Sequence, residues 1–180
     1  MASVFSHAVA ACAIGQAAPD HQRSDWRFWY LAVLCAVFPD IDVAGFAFGV
    51  RYDSLWGHRG ITHSLLFAGV AGALAAARLR PRWNKDGLTL AAILIVVAAS
   101  HGVLDAFTNG GLGVAFFSPF DRTRYFFPWT PIEVSPIGVA FFSLRGLEVL
   151  KNEIAWIWMP SLAAGFFLRR FSGRSNPASR

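Results

Sequence analysis

The chain has 180 residues, of which 55% are hydrophobic and 15% are charged, and its formal net charge at pH 7 is +5. A soluble domain carries roughly 25% charged residues, so this composition, with a mean hydropathy of +0.44, predicts an integral membrane protein. The basic residues flank apolar segments instead of forming one amphipathic face, and we therefore expect no nucleic-acid partner.

Five apolar segments follow one another along the chain, at residues 4–18, 28–50, 61–77, 88–107 and 154–168. A bilayer crossing takes about 20 apolar residues. The fourth segment reaches that length, the second is interrupted at Pro39, and the shorter ones can tilt or thin the bilayer. The predicted fold class is therefore all-α, a polytopic membrane helical bundle of about five spans. Residues 1–171 are expected to form one membrane-embedded domain, followed by a polar, disordered cytoplasmic tail at 172–180.

Basic residues predict the orientation of this bundle. They crowd the link between the third and fourth segments and follow the last one: Arg78, Arg80, Arg82, Lys85, Arg169, Arg170, Arg174 and Arg180. The positive-inside rule assigns both clusters to the cytoplasm, so the N-terminus is predicted outside and the C-terminus inside. Between residues 107 and 151, Pro128, Pro131 and Pro136 rule out one continuous helix, which predicts an irregular extracytoplasmic loop region.

Ionisable residues inside apolar segments are costly and usually functional. His101 and Asp105 are spaced i, i+4 and share one helix face, and imidazole with carboxylate suits zinc or manganese. A histidine hydrogen-bonded to a carboxylate in the core is the structural alternative. Asp40 and Asp42 follow Pro39 in an apolar context. In an extended stretch both side chains would point the same way and share an ion, with Asp40 favoured as the ligand.

The segment His58–Ser64 adds two further histidines. Thr62 is predicted to cap the following helix, with His63 in its first turn and His58 in the preceding loop. Arg59 is expected either to pair with a carboxylate or to hold an anionic substrate. His7, among small and apolar neighbours, is by itself equally consistent with a structural role.

The five-span topology predicts that these groups meet at one level of the membrane. The orientation rests on Lys and Arg alone, yet it carries the seven groups to the outer ends of their segments: His7, Asp40, Asp42, His58, His63, His101 and Asp105. His21 falls at the opposite end and is excluded from the predicted site.

Three motifs resemble a known family. They are Phe-Pro-Asp-Ile-Asp at 38–42, His-Arg-Gly-Ile-Thr-His-Ser at 58–64 and His-Gly-Val-Leu-Asp-Ala-Phe-Thr at 101–108. Together with His7 and the stretches 118–120 and 124–128, they resemble the LexA-regulated, membrane-bound metal-dependent hydrolases, the YdjM-like proteins of the bacterial inner membrane. That family is distantly similar to zinc-dependent phospholipases C and P1-type nucleases, whose His-x3-Asp pair His101 and Asp105 match. Their later ligands have no match here except Glu133, so one or two ions are expected rather than three.

The resemblance implies a membrane-bound metal-dependent hydrolase that cleaves an ester or phosphoester in a lipid-like substrate. Zinc is the expected metal, with manganese as an alternative, and membrane lipid is the expected partner. Aromatic residues in 115–130 would admit an acyl chain. The predicted ligands are His7, Asp40, His63, His101 and Asp105; the predicted catalytic residues are Asp42, His58 and Arg59; the predicted substrate-binding residues are Arg122 and Arg124. A metal ion or proton transporter, and a membrane protein with a purely structural metal, are the alternatives.

Overall fold

The computed structural model describes residues 1–79 and 86–172, and its regular elements are all helical. The α-helices are α1 Val4–Gly15, α2 Asp20–Arg23, α3 Trp26–Val37, α4 Leu65–Leu79, α5 Gly87–Ala106, α6 Leu144–Glu153 and α7 Met159–Ser172. The predicted all-α class is therefore confirmed. The predicted tail beyond Ser172, and Arg80, Arg82 and Lys85 of the basic link, lie outside the described residues.

Helix α5 is the centre of the bundle and packs against α1, α3 and α4. The contacts between these helices are rich in small residues such as Ala11, Ala32, Ala68 and Ala98, all of which are buried. Small side chains let helix backbones approach closely in a membrane, where packing replaces the hydrophobic effect as the source of stability. The closest approach is at Gly72, where a Cβ atom would lie 2.5 Å from the backbone nitrogen of Ile95.

The second apolar segment changes its helical geometry at the proline. Helix α3 ends at Val37, and the chain continues as a 3₁₀ helix over Phe38–Phe48, which ends at Gly49 with φ of 76°. Pro39 lacks an N–H and clashes with the preceding turn of an α-helix, so it is accommodated at the start of the new helix. The expected extended stretch is wrong. With three residues per turn, Asp40 and Asp42 point about 120° apart instead of together.

The last helical stretch begins earlier than the predicted start at residue 154. Helices α6 and α7 are joined by a π-helical turn over Ile154–Trp158, so the chain is helical from Leu144 to Ser172. Between α5 and α6 the chain is irregular, with one 3₁₀ turn at Gly138–Phe141 and two isolated bridges, Thr108 with Ile132 and Val114 with Tyr125. This irregular stretch agrees with the region that the prolines predicted.

Two helical stretches within the described residues are long and apolar enough to cross a membrane. They are Trp26–Phe48, with 23 residues and a mean hydropathy of 1.9, and Gly87–Ala106, with 20 residues and a mean hydropathy of 2.1. Val4–Gly15 and Leu65–Leu79 are apolar but shorter. Large apolar side chains such as Leu74, Val96 and Phe167 are exposed on the outside of the bundle, which suits a lipid-facing surface. The count of about five spans stays a prediction.

Candidate metal centre

One end of the helical bundle gathers most of the buried ionisable side chains. His7 lies near the start of α1, Asp40 and Asp42 lie in the 3₁₀ helix, and His101 and Asp105 lie in the last turns of α5. His58 and His63 enter from the loop before α4, which brings to this end the seven predicted residues: His7, Asp40, Asp42, His58, His63, His101 and Asp105.

Four of these residues can each offer one ligand atom to a single ion. The four, Asp40, His63, His101 and Asp105, have ligand atoms that all lie within 4.8 Å of one another. The Nε2 atoms of His63 and His101 are 2.9 Å apart. Asp40 Oδ1 lies 3.4 Å from His101 Nε2 and 3.6 Å from His63 Nε2. A tetrahedral zinc ion, with ligands at 2.0–2.2 Å, separates its ligand atoms by about 3.3 Å, so these spacings fit one ion.

The carboxylate of Asp40 supplies an independent test of this fit. Both of its oxygen atoms are buried, and neither has a hydrogen-bond partner among the described residues. A buried carboxylate without partners is costly unless it is neutralised or coordinates a metal. Asp40 therefore fits the role of a metal ligand better than that of a structural carboxylate.

Hydrogen bonds at Nδ1 orient the rings of His63 and His101 so that both Nε2 atoms face the possible ion position. The Nδ1 of His101 lies 2.6 Å from the carbonyl oxygen of Ala36, and the Nδ1 of His63 lies 3.0 Å from the hydroxyl of Thr62 and 3.2 Å from Asp42 Oδ2. An acceptor at Nδ1 fixes the proton there and leaves Nε2 with a lone pair for a metal. Asp42 therefore orients His63 and does not share a ligand position with Asp40.

The threonine predicted as a helix cap has another role. Thr62 Oγ1 donates to Asp42 Oδ2 at 2.6 Å, and His63 lies in a short 3₁₀ turn, Ile61–His63, before α4 begins. The side chain of Ser64 accepts from the backbone N–H of Phe67 at 3.1 Å, so Ser64 caps α4. The predicted cap at Thr62 is wrong by two residues because its hydroxyl is used to hold Asp42.

His58 forms a second carboxylate–histidine pair behind the first group. Its Nδ1 lies 2.8 Å from Asp42 Oδ1, while its buried Nε2 has no hydrogen-bond partner among the described residues. Asp42, His58 and His63 also have ligand atoms within 4.8 Å of one another. His58 can thus hold a second ion or exchange a proton at Nε2.

His7 lies beside the four-residue group rather than within it. Its ring stacks on that of His101 with centroids 3.8 Å apart, and its Nε2 lies 3.5 Å from Asp105 Oδ1. Both ring nitrogens are buried, and neither has a hydrogen-bond partner in the described parts of the chain. His7 is available to the centre, but the geometry of a single ion does not require it.

Arg59 pairs with a carboxylate, the first of its two expected roles. It is fully buried and has φ of 62°, and its Nε donates to Asp105 Oδ2 at 3.1 Å. Its Nη1 donates to the carbonyl of Gly110 and its Nη2 to the hydroxyl of Thr108. Each guanidinium nitrogen of Arg59 donates a hydrogen bond to the protein. Arg59 therefore holds Asp105 in place, and its guanidinium group is not free to bind a substrate.

The two arginines predicted to bind substrate lie in the irregular region, outside both groups of possible ligands. Arg122 is exposed. Arg124 donates to the backbone carbonyls of His58 and Tyr52 and so fastens the loop that carries His58. Glu133, the one further candidate ligand, is paired with Arg145 instead.

The carboxylates make this end of the bundle favourable for positive charge. Three carboxylates surround the buried His63 ring: Asp42 Oδ2 lies 3.2 Å from its Nδ1, and Asp105 Oδ2 and Asp40 Oδ1 lie 3.5 and 3.6 Å from its Nε2. Their combined negative charge favours a cation at this point. Burial lowers the pKa of His58, so its imidazole tends to be neutral and able to accept a proton.

The chain is similar to known proteins over most of its length. The sequence pattern of the YdjM inner membrane protein family matches residues 1–175. The chain belongs to this family. It is also 35% identical to the inner membrane protein YbcI of Escherichia coli (strain K12) over 164 residues, which cover 90% of this chain and 94% of that protein. No solved structure matches the chain. The prediction of a membrane protein is thereby confirmed, and this YdjM family protein has a set of His and Asp residues that can hold a metal ion.

One buried carboxylate of this YdjM family protein, which holds the helix that carries His7, was not identified by the sequence analysis. Glu153 is fully buried and accepts from the Ser3 backbone N–H and hydroxyl, both at 2.5 Å, and from the Ser6 hydroxyl at 2.7 Å. It therefore anchors the start of α1, where His7 lies, and a carboxylate there also suits the helix dipole. The sequence signal was a glutamate immediately before an apolar segment. Its partners lie about 150 residues away, so no local pattern identifies them.

Proposed function

We propose that this protein is a membrane-bound metal-dependent hydrolase that cleaves an ester, in particular a phosphoester, in a lipid-like substrate. The observation that carries the proposal is the group Asp40, His63, His101 and Asp105, whose ligand atoms lie at the spacing of a tetrahedral ion. The unpartnered oxygens of Asp40 support a centre built for a cation rather than a self-sufficient hydrogen-bond network.

The protein's own groups have separable roles in this chemistry. A bound divalent ion would lower the pKa of a water molecule and polarise the substrate oxygen. Asp42 holds His63 through Nδ1 and holds His58 in the same way. His58, neutral and with a free Nε2, is the proposed general base, and it fits the requirement for a base oriented by a third group. Arg59 acts indirectly by fixing Asp105.

The charge distribution supports an extracytoplasmic site in a multi-pass protein of the bacterial inner membrane. Arg23 donates to the carbonyl of Gln16 at the end of α1, and the end of α7, with Arg169 and Arg170, reaches Ala17 through Ser172. The metal centre lies at the other end of α1. With the basic end in the cytoplasm, the N-terminus and the centre face outward, the C-terminus faces inward, and the five apolar segments cross the bilayer.

Zinc is the proposed metal, because two imidazoles with carboxylates suit a borderline divalent ion, and manganese is the alternative. One ion occupies the first group, and a second at Asp42, His58 and His63 is the upper limit. The match of His101 and Asp105 to the His-x3-Asp pair of zinc phospholipases C and P1-type nucleases is part of this proposal.

A metal or proton transporter is the main competing function. A transport path needs ligands at several depths of the bilayer, whereas both possible ligand groups found in the described residues lie at one end of the bundle. A structural metal site is the other alternative: in it all four groups would bind the ion, whereas in the hydrolase three of them would bind and a water molecule would take the fourth position.

Elemental analysis of the detergent-purified protein, paired with phosphate release from lipid phosphoesters, tests the proposal. Asp40→Asn is the sharpest variant, because Asp40 makes no protein hydrogen bond that the substitution would break. We expect bound zinc or manganese in the wild type, loss of metal and activity in Asp40→Asn and in His101→Ala/Asp105→Ala, and retention of both in His21→Ala. Absence of metal after reconstitution, or metal without turnover of any ester, would overturn the hydrolase.

A further inference from the structure

An apolar cavity opens beside the metal centre. It has a volume of about 270 Å³ and lies between the start of α1, the 3₁₀ helix after α3 and the loop 135–142. Its apolar walls are formed by Val4, Phe5, Val43, Ile137, Phe141 and Phe142. The stretch 115–130, which the sequence suggested for an acyl chain, does not line it.

Asp40 connects this cavity to the metal centre. It is the carboxylate that lines the cavity, and it is also one of the four groups that converge on the proposed ion. The apolar walls therefore reach as far as a ligand of the metal. A molecule bound here would place its first polar atoms at Asp40 and its carbon atoms against the aromatic rings.

The outer rim of the cavity is apolar and exposed. Phe142 is 81% exposed, and Val139 and Leu144 next to it are exposed to a similar degree. Phe5 and Phe141, whose ring centroids are 5.7 Å apart, form the inner side of this rim. Exposed apolar surface of this kind in a membrane protein faces acyl chains, so the cavity opens sideways towards lipid.

We propose that this cavity binds a single aliphatic chain, and that the substrate is a long-chain alkyl or prenyl phosphate whose phosphoester joins the chain directly. The inference rests on the proposed hydrolase function and specifies its substrate class. A cavity of about 270 Å³ lies just below the usual range of ligand sites, roughly 300–1,000 Å³, so it suits one chain and not the two of a diacyl lipid. Met1, Ser3 and Ser135 also line the cavity, but most of its wall up to Asp40 is apolar, so the polar end of the molecule belongs at Asp40 and the bond there is its first polar bond.

The reaction is a balanced hydrolysis. Water supplies the new P–O bond, the bond between phosphorus and the chain oxygen breaks, and that oxygen leaves with a proton. The products are a long-chain alcohol, which returns to the bilayer, and inorganic phosphate, which is released on the aqueous side. No oxidant or further reactant is needed.

The first experiment uses dodecyl phosphate with a photoactivatable diazirine at the end of its chain, bound to the metal-loaded protein in detergent. Mass spectrometry then maps the labelled residues. We expect labels on the cavity walls, at Phe5, Val43 or Phe141. Labels confined to the groove between α1 and α7, lined by Leu162 and Phe166, or to the groove between α3 and α4, lined by Leu34 and Leu74, would overturn the inference.

The second experiment compares a cavity-filling variant with a matched control. Ile137→Trp fills the cavity from its wall, whereas Leu162→Trp adds the same side chain to the α1–α7 groove. We expect Ile137→Trp to lower the ratio of kcat/KM for dodecyl phosphate to kcat/KM for methyl phosphate by about tenfold or more, as loss of a hydrophobic subsite does. Leu162→Trp should resemble the wild type with both substrates.

The outcomes separate this inference from the function on which it rests. Hydrolysis of phosphoesters without any preference for chain length, or a preference for diacyl phosphatidate over dodecyl phosphate, overturns the inference and leaves the hydrolase standing. Labels within the cavity on a protein that hydrolyses no ester support the chain-binding site and reject the hydrolase. Because labelling needs only wild-type protein, misfolding of Ile137→Trp does not remove the test.

Discussion

The Nε2 atoms of His63 and His101 face each other at 2.9 Å, although the two residues are 38 positions apart in the chain. Each ring is held from behind at Nδ1, His63 by Asp42 and His101 by the carbonyl of Ala36. Two imidazoles that both lack a proton at Nε2 would repel each other at this distance. Their arrangement is stable when a cation, or one shared proton, lies between them.

Asp42 is predicted to control metal affinity without binding the metal in the first group. Loss of an orienting carboxylate behind a histidine ligand typically weakens metal binding by about 10–100-fold. We expect Asp42→Ala to weaken zinc binding to this extent, measured by competition with a chromogenic chelator. Asp53→Ala, at an exposed carboxylate paired with Arg51, is the matched control. Equal affinities for Asp42→Ala and the wild type would contradict the orienting role.

Arg59 is predicted to be a stability determinant of the centre. Removing one partner of a buried ion pair costs about 3–5 kcal/mol, since the remaining charge is left uncompensated. Arg59→Gln should therefore lower the thermal unfolding midpoint in detergent markedly, because Asp105 loses its guanidinium partner. Arg122→Gln, at an exposed arginine, should leave the midpoint unchanged. If Arg59→Gln kept its midpoint and only raised KM, Arg59 would be a substrate-binding residue after all.

Two glycines of α4 allow a matched test of helix packing. A Cβ on Gly72 would lie 2.5 Å from the Ile95 backbone nitrogen, whereas a Cβ on Gly69 would meet nothing within 4 Å. Gly72→Ala should destabilise the protein by about 1–3 kcal/mol through overpacking. Gly69→Ala should be neutral or stabilising by up to about 1 kcal/mol because alanine favours helix. Unfolding midpoints of both variants check this, and equal midpoints would mean that α4 and α5 are farther apart.

Glu153 is predicted to secure the start of α1. Glu153→Gln removes the charge and leaves one acceptor oxygen for donors from Ser3 and Ser6, at a cost of about 1–3 kcal/mol for the unsatisfied buried groups. Amide hydrogen exchange over residues 3–10 should rise in this variant. Glu148→Gln, on the exposed face of the same helix, serves as the control. Unchanged exchange near His7 would show that α1 is held by other contacts.

The sequence predicted the helices best where the signal is local. The apolar segments at 4–18 and 88–107 correspond to Val4–Gly15 and Gly87–Ala106 within a few residues, because an unbroken apolar run has only a helical solution in lipid. The 3₁₀ helix after Pro39 was not predictable in this way. Proline excludes a regular α-helix, but it does not determine whether the chain continues as a 3₁₀ helix or as an extended stretch. In this protein the 3₁₀ helix is the form that lets Asp40 and Asp42 contact different partners.

The sequence predicted which residues meet at the site, but it did not predict which contacts each of them makes there. The placement of basic residues along the segments predicts by itself that His7, Asp40 and His101 meet at one end of the bundle. The sequence analysis favoured Asp40 as the ligand, but local sequence does not show the partners that distinguish the two carboxylates: Asp42 contacts His58 and His63, whereas Asp40 makes no hydrogen bond among the described residues. The role of Arg59 was open for the same reason, since Asp105 lies 46 positions away.

The π-helical turn at Ile154–Trp158 sets the phase of the last helix. Before this turn, Glu153 accepts hydrogen bonds from the start of α1. After it, Gly165 of α7 packs against Ala13, which also lies in α1. A π-helical turn holds one residue more than an α-helical turn, and each residue of an α-helix advances it by about 100°. The wider turn therefore absorbs one residue that would otherwise rotate the two contact surfaces about 100° out of alignment.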